Sequence, residues 1–313
     1  MPENPDNRAP DAASPLARAL ARQSAEQLSD LIRARGLGAE TFERLARRAD
    51  ELVDDLGESE ADPALIDLLR ERRGVLRAVA RLIADPAAPV VPPSNHEVYG
   101  AVLDITELHA IVSTLRPGAG IDRLLAHVTC EDPDAARRDR LLLAFGAVCR
   151  RGGLAVRPGP EAGSALELEI DRWPIAAAAA VPLREMELPD AAAEAEAALR
   201  GAGRPGLIVL EAGALLDWKP IRVADDHTAI AVMNERLDAF MIDRRDAIAD
   251  ATGTAHAFGL VVHATLPATN AASNRLMFAE CLRAVNLCDA GDARIAGFQA
   301  FIHALSRAGT RAD

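Results

Sequence analysis

Residues 164–182 constrain the fold more than any other stretch of the 313-residue chain. From Leu166 to Asp171 apolar and acidic side chains alternate: Leu166, Leu168 and Ile170 on one side, Glu167, Glu169 and Asp171 on the other. That is the period of a strand with one face in a core. After Trp173-Pro174 the chain continues as Ile175, Ala176 to Ala180 and Val181, a second strand that is small and apolar. It carries no group that could move a proton or hold a metal. Two consecutive strands at the heart of an α/β unit are expected here.

The period elsewhere sorts the rest. Residues 1–13 are polar and proline-rich, a composition expected to be disordered. Ser14-Pro15 reads as an N-cap and first helical residue. Helices are predicted from there to Gly36, from Glu40 to Gly57 and from Asp62 to Ala84. Three amphipathic helices with short joints make an N-terminal bundle over 14–85. Residues 86–95 hold four of the chain's prolines and read as an extended linker and domain boundary. Over 96–313 helices are expected at 97–115, 121–128 and 135–151. Strands follow at 154–157, 165–171 and 175–181, then a helix at 189–200, a strand at 206–211 and a helix at 225–249. A strand at 258–264 is followed by an ambiguous stretch, 275–288, read as its neighbouring strand, and a last helix at 292–308. The fold class is α+β: an N-terminal helical bundle, then a mixed sheet flanked by helices.

Composition narrows the partners. The formal net charge is −12, so the surface as a whole repels phosphate backbones and anionic lipids, and nucleic acid is not an expected partner. Aromatic residues are 3% of the chain, too few to build stacking platforms for single strands. Of 35 basic residues only Lys219 is a lysine. Cys130, Cys149, Cys281 and Cys288 form no Cys-x-x-Cys and read as buried reduced thiols. With no apolar signal core near Met1 and no run of membrane-spanning length, the expectation is a cytoplasmic protein with no membrane association.

Four constellations stand out. Gly201 to Gly206 has the letters of a dinucleotide fingerprint, but follows a helix and opens a strand, the reverse of what phosphate binding needs. Glu167, Glu169 and Asp171 place three carboxylates on one strand face, where a divalent cation could sit if other ligands converged. Arg137, Arg138, Arg140, Arg150 and Arg151 cluster on one predicted helix as a candidate anion-binding patch. His263, inside an apolar strand, marks a candidate pocket.

The helix from Arg138 to Cys149, the three strands after it, the helix around 191–199 and the strand Gly206–Leu210 together resemble the core of the PD-(D/E)XK nuclease-like superfamily. In that family an acid on one strand and acid-x-Lys on the next hold Mg²⁺, which activates water. The resemblance implies that Glu167 or Glu169 stands for the first acid. The acid-x-Lys position falls on Ala177 to Ala179, and Lys219 lies at the wrong spacing. A degenerate nuclease-like domain without a metal site is therefore expected, with no cofactor. The leading expectation is a non-catalytic interaction or scaffold protein, binding a protein partner or a second copy through its N-terminal helices or the apolar face of 97–115. The alternatives are a divergent Mg²⁺-dependent nuclease using Glu167, Glu169 and Asp171, and a small-molecule or nucleotide-binding sensor with its pocket near His263 and the arginines.

Overall fold

The computed structural model describes residues 38–57, 63–115, 121–130, 132–159, 165–170, 173–216, 221–252, 256–271, 276–288 and 291–309. The helix expected over 14–36, and with it Asp171 and Lys219, lies outside the described residues.

Chain order is α1 (Ala39–Gly57), α2 (Pro63–Ala84), α3 (Asn95–Leu115), α4 (Ile121–His127), α5 (Pro133–Arg151), β1 (Ala155–Pro158), β2 (Leu166–Ile170), β3 (Trp173–Ala180), a 3₁₀ turn (Glu185–Glu187), α6 (Leu188–Ala202), β4 (Gly206–Glu211), β5 (Ile221–Val223), α7 (Asp226–Thr252), β6 (Ala257–Asn270), β7 (Leu276–Asn286) and α8 (Arg294–Gly309). The ambiguous 275–288 stretch is a strand, paired antiparallel to β6. The short strand β5 was not foreseen; three residues carry too little period to be read.

Local chemistry fixes the ends of the elements that matter most. Asp132 caps α5 by accepting from the backbone N–H of Asp134 (2.9 Å) and Ala135 (3.2 Å). Those two amides hold its carboxyl below the ordinary range. Gly152 ends α5, and Gly153 turns the chain into β1 at φ +86°. Asp225 caps α7 through the Thr228 N–H at 2.7 Å. Glu196 on α6 is buried, and its two carboxylate oxygens accept the N–H groups of His256 (2.9 Å) and Ala257 (2.8 Å), seating the start of β6.

β1, β2 and β3 form an antiparallel meander. α6 then crosses over, and β4 lies parallel to β3, with Ala176 opposite Gly206 and Ala180 opposite Leu210. β6 lies parallel to β4, so Glu211 stands beside His263. One edge of β6 is shared by β4 and β5, and β7 covers the other.

The five alanines of β3 sit at the centre, buried on both faces. Ala177 and Ala179 face the layer of α5 and α8; Ala176, Ala178 and Ala180 face α6 and α7. Small side chains let both layers come close. Gly206 shows how close: a Cβ there would press on the Ala176 carbonyl oxygen and lie 2.5 Å from Leu199 Cδ2.

Apolar packing crosses the expected 86–95 boundary. Phe42, Leu52, Leu65, Leu69 and Leu76 of α1 and α2 belong to one buried cluster with Ile105, Leu108 and Phe145. The apolar face of 97–115 is likewise covered within the molecule: Val98, Ala101, Ile105, Leu108, Ile111 and Val112 are buried. It is not a vacant partner surface. Cys149, Cys281 and Cys288 are buried and reduced as expected, while Cys130 is half-buried.

Gly206→Ala is expected to cost about 1–3 kcal/mol, because the close backbone approach cannot relax without separating β3 from β4. A urea denaturation midpoint equal to that of the parent protein would contradict this account of the sheet centre.

Candidate functional site

Parallel strands bring their C-terminal ends to one edge of a sheet, where the chain leaves for its crossover helices and a crevice can open. In this chain the site is made by Val181, Pro182 and Leu183 after β3, Glu211 at the end of β4 with Ala214 after it, and His263 midway along β6. Helices α3 and α5 wall the same space, and together these residues enclose a cavity of about 510 Å³. The size and the largely aliphatic lining are those of a small-molecule site.

Its polar groups come in two sets. The first is the Glu211–His263 pair, placed side by side by the β4–β6 register. Glu211 Oε2 lies 2.6 Å from His263 Nδ1, and Glu211 Oε1 accepts the Gly213 N–H at 2.8 Å. A carboxylate on Nδ1 assigns the ring proton to that nitrogen. The His263 side chain is only 5% exposed and Glu211 is 31% exposed, so the imidazole is held from within and reached through the cavity. The carbonyl of His263 accepts the Ala212 N–H at 2.8 Å, which fixes the turn after β4.

The second set is an ion network between three helices. Arg140 on α5 donates through Nη1 to Asp104 Oδ1 (2.7 Å) and through Nε to Glu107 Oε2 (2.8 Å), with a further short contact from Nη2 to Glu107. Arg72 on α2 donates to the other oxygen of Asp104 at 2.7 Å. Burial alone would lower the Arg140 pKa. The Glu107 and Asp104 carboxylates more than offset that, and it is raised above the ordinary guanidinium value.

Of the arginines singled out from the sequence, Arg137, Arg140 and Arg151 line this cavity together with His263. Arg137 is also paired with Asp134 one turn earlier. Arg138 instead faces Glu194 at 3.8 Å, and Arg150 is exposed outside the cavity. The patch is therefore not a single anion cradle. Its most buried member, Arg140, is already neutralised by two acids.

Glu167 and Glu169 do not join this site. They flank a separate depression of about 250 Å³ lined by Arg157, Arg204 and Pro174. Arg204 lies 3.2 Å from Glu167, and Arg157 is its cross-strand neighbour. Arginine occupies the space where a cation would need ligands to converge, and Glu169 is exposed. Among the described residues no three His, Cys, Asp or Glu side chains come together as a metal site.

Three functional groups escaped the sequence reading. Asp104 and Glu107 are one turn apart on α3, a spacing that in retrospect puts both on one face. Glu211 is the last residue of β4, at the strand end where ligand groups gather.

No family model matches the chain, and no curated protein or solved structure matches it significantly.

Arg140→Leu is expected to lower stability by about 2 kcal/mol, since it leaves Glu107 without its arginine and Asp104 with only Arg72 in a partly buried setting. The additional change Glu107→Gln in the same protein should recover part of the loss. Equal denaturation midpoints for the parent and Arg140→Leu would refute the network as a structural tie.

Proposed function

We propose that this protein is a non-catalytic small-molecule-binding protein, and that its ligand enters the cavity between α3, α5, the ends of β3 and β4 and the middle of β6. One observation carries the reading: a largely aliphatic cavity of about 510 Å³ where the parallel strands β3 and β4 end beside β6, with the Glu211–His263 pair as its polar anchor. It unites the expectation of a protein without ordinary nuclease chemistry with the sensor alternative. The scaffold reading in its first form is less favoured, because the helical faces it relied on are covered within the chain.

The strand order supports the nuclease-like resemblance as a statement about scaffold. An antiparallel meander, a crossover helix and a strand parallel to β3 form the sequence of elements that the resemblance implies. The chemistry of that family finds little support. Alanines fill the acid-x-Lys position on β3, and Glu167 is engaged by Arg204.

Binding would couple to the helical half. α3 contributes Gly100, Leu103 and Glu107 to the cavity wall and buries its other face against α1 and α2. A ligand that tightens α3 against α5 therefore stiffens the bundle, which is the physical content of a sensor.

Two measurements test the reading. Thermal unfolding with a panel of aliphatic acids, alcohols and nucleotides should show at least one compound that raises Tm; a ligand at a hundredfold its Kd adds about 2.7 kcal/mol. Glu211→Gln and His263→Ala should reduce that rise while remaining folded. Incubation with nucleic acid and Mg²⁺ or Mn²⁺ should give no cleavage. Metal-dependent cleavage lost in Glu169→Ala would restore the nuclease alternative and overturn the proposal.

A further inference from the structure

The outer strands of the sheet are built differently. β1 is four residues long and ends in Pro158, and β5 has only three residues. Short length and proline are devices that keep a strand from pairing outward. β7 has neither. It runs for 11 residues without proline or glycine, and Glu280 and Arg283 are its only charged positions. Among the described residues it pairs with β6 alone.

The ladder tells which backbone groups of β7 point outward. The Leu287 N–H donates to the Phe258 carbonyl, and Asn286 lies opposite Gly259 in the same register. In an antiparallel pair every second residue turns its N–H and C=O toward the partner strand. Residues 277, 279, 281, 283 and 285 therefore bond to β6. Glu280, Leu282, Ala284 and Asn286 hold their backbone groups to the open side. The Asn286 carbonyl is met there by Arg245 of α7, whose Nε donates to it at 3.3 Å.

α7 lies along this edge. Asp238 pairs with Arg283 at 3.0 Å, and Arg245 reaches Asn286 seven residues later. Seven helical residues rise about 10 Å, as three strand residues do, so α7 and β7 run together in the same direction. Ile242 shares a helix face with Asp238 and Arg245, yet it is 78% exposed. A large apolar side chain thus stands in water beside a row of outward-pointing amides.

We infer that β7 pairs antiparallel with β7 of a second copy of this chain, joining the two sheets across a two-fold axis at Leu282, with Ile242 covered by the partner.

Symmetry and charge select this occupant and this register. A two-fold axis perpendicular to the sheet keeps every side chain on its own face, so outward-bonding residues must pair with each other. An axis at Glu280 would set two glutamates opposite one another, and an axis at Arg283 would do the same to two arginines; both are destabilising. At Leu282, Glu280 stands opposite Ala284 in both directions. The axis is then flanked by two Arg283–Asp238 pairs, which bring equal numbers of acids and guanidiniums. A foreign extended peptide finds the amides but not this match.

The test uses the full-length protein. Sedimentation velocity from about 1 μM to about 200 μM, the range for a small interface, should show a monomer–dimer equilibrium. Amide hydrogen exchange reads the edge directly. The amides of Glu280, Leu282 and Ala284 should exchange about tenfold more slowly at the high concentration, while those of Cys281 and Arg283 are protected at both. Glu280→Pro removes an outward donor and no bond to β6, so it should abolish the dimer and leave the circular dichroism of the monomer intact. Ile242→Asp, at an exposed helix position, should weaken dimerisation about tenfold without changing the Tm of the monomer. If Glu280→Pro does not fold, the exchange pattern and Ile242→Asp decide. A protein that is monomeric at every concentration overturns the inference, as does a dimer that Ile242→Asp leaves unweakened. Exchange at 280, 282 and 284 that is independent of concentration overturns it too. None of these outcomes bears on the cavity.

Discussion

Everything in the sheet depends on how closely two helical layers can approach β3. Ala176 to Ala180 contribute one methyl each, alternately to the α5–α8 side and the α6–α7 side. Larger side chains would push either layer away, and Gly206 has no room even for a methyl. Close packing of this kind gains dispersion contacts over the whole interface and tolerates little change in volume. It also sets the level of β4 against β3 and, through the Glu196 seat beneath β6, the level of β6 against β4. The juxtaposition of Glu211 and His263 follows from that chain of registers.

The helical half is tied to this frame by charge as well as by apolar contact. Arg72, Asp104, Arg140 and Glu107 link α2, α3 and α5 through charge-assisted hydrogen bonds of 2.7–2.8 Å. With its pKa raised above the ordinary guanidinium value, Arg140 keeps its proton wherever the protein is folded. An apolar replacement of the whole set could be as stable. What the ionic version adds is direction, since it locks the rotation of α3 about its axis and so determines which residues of α3 face the cavity.

Much of the fold was legible in the sequence, and the reasons are local. The change of period from 3.6 to 2 after Gly153 separates helices from strands, and caps such as Asp132 and Asp225 mark helix starts. The alanine strand was readable despite the high helix propensity of alanine, because Trp173-Pro174 and the alternating strand before it leave no place for a helix. Residues 275–288 became a strand for the tertiary reason that β6 needed a neighbour. The composition of the proline-rich segment reports only the local chain, whereas Phe42, Leu69 and Ile105 share a core through space. The site was half visible. His263 and part of the arginine cluster were named, yet Glu211, Asp104 and Glu107 were not, since pairing across strands and helices has no signature in a single sequence.

The overall charge of −12 and the arginines that line the cavity act at different ranges. At physiological ionic strength the field of distant surface carboxylates is screened within about 8 Å. Inside the cavity Arg137, Arg140 and Arg151 stand against Asp104, Glu107 and Glu211, so the formal charges of these lining groups cancel before His263 is considered.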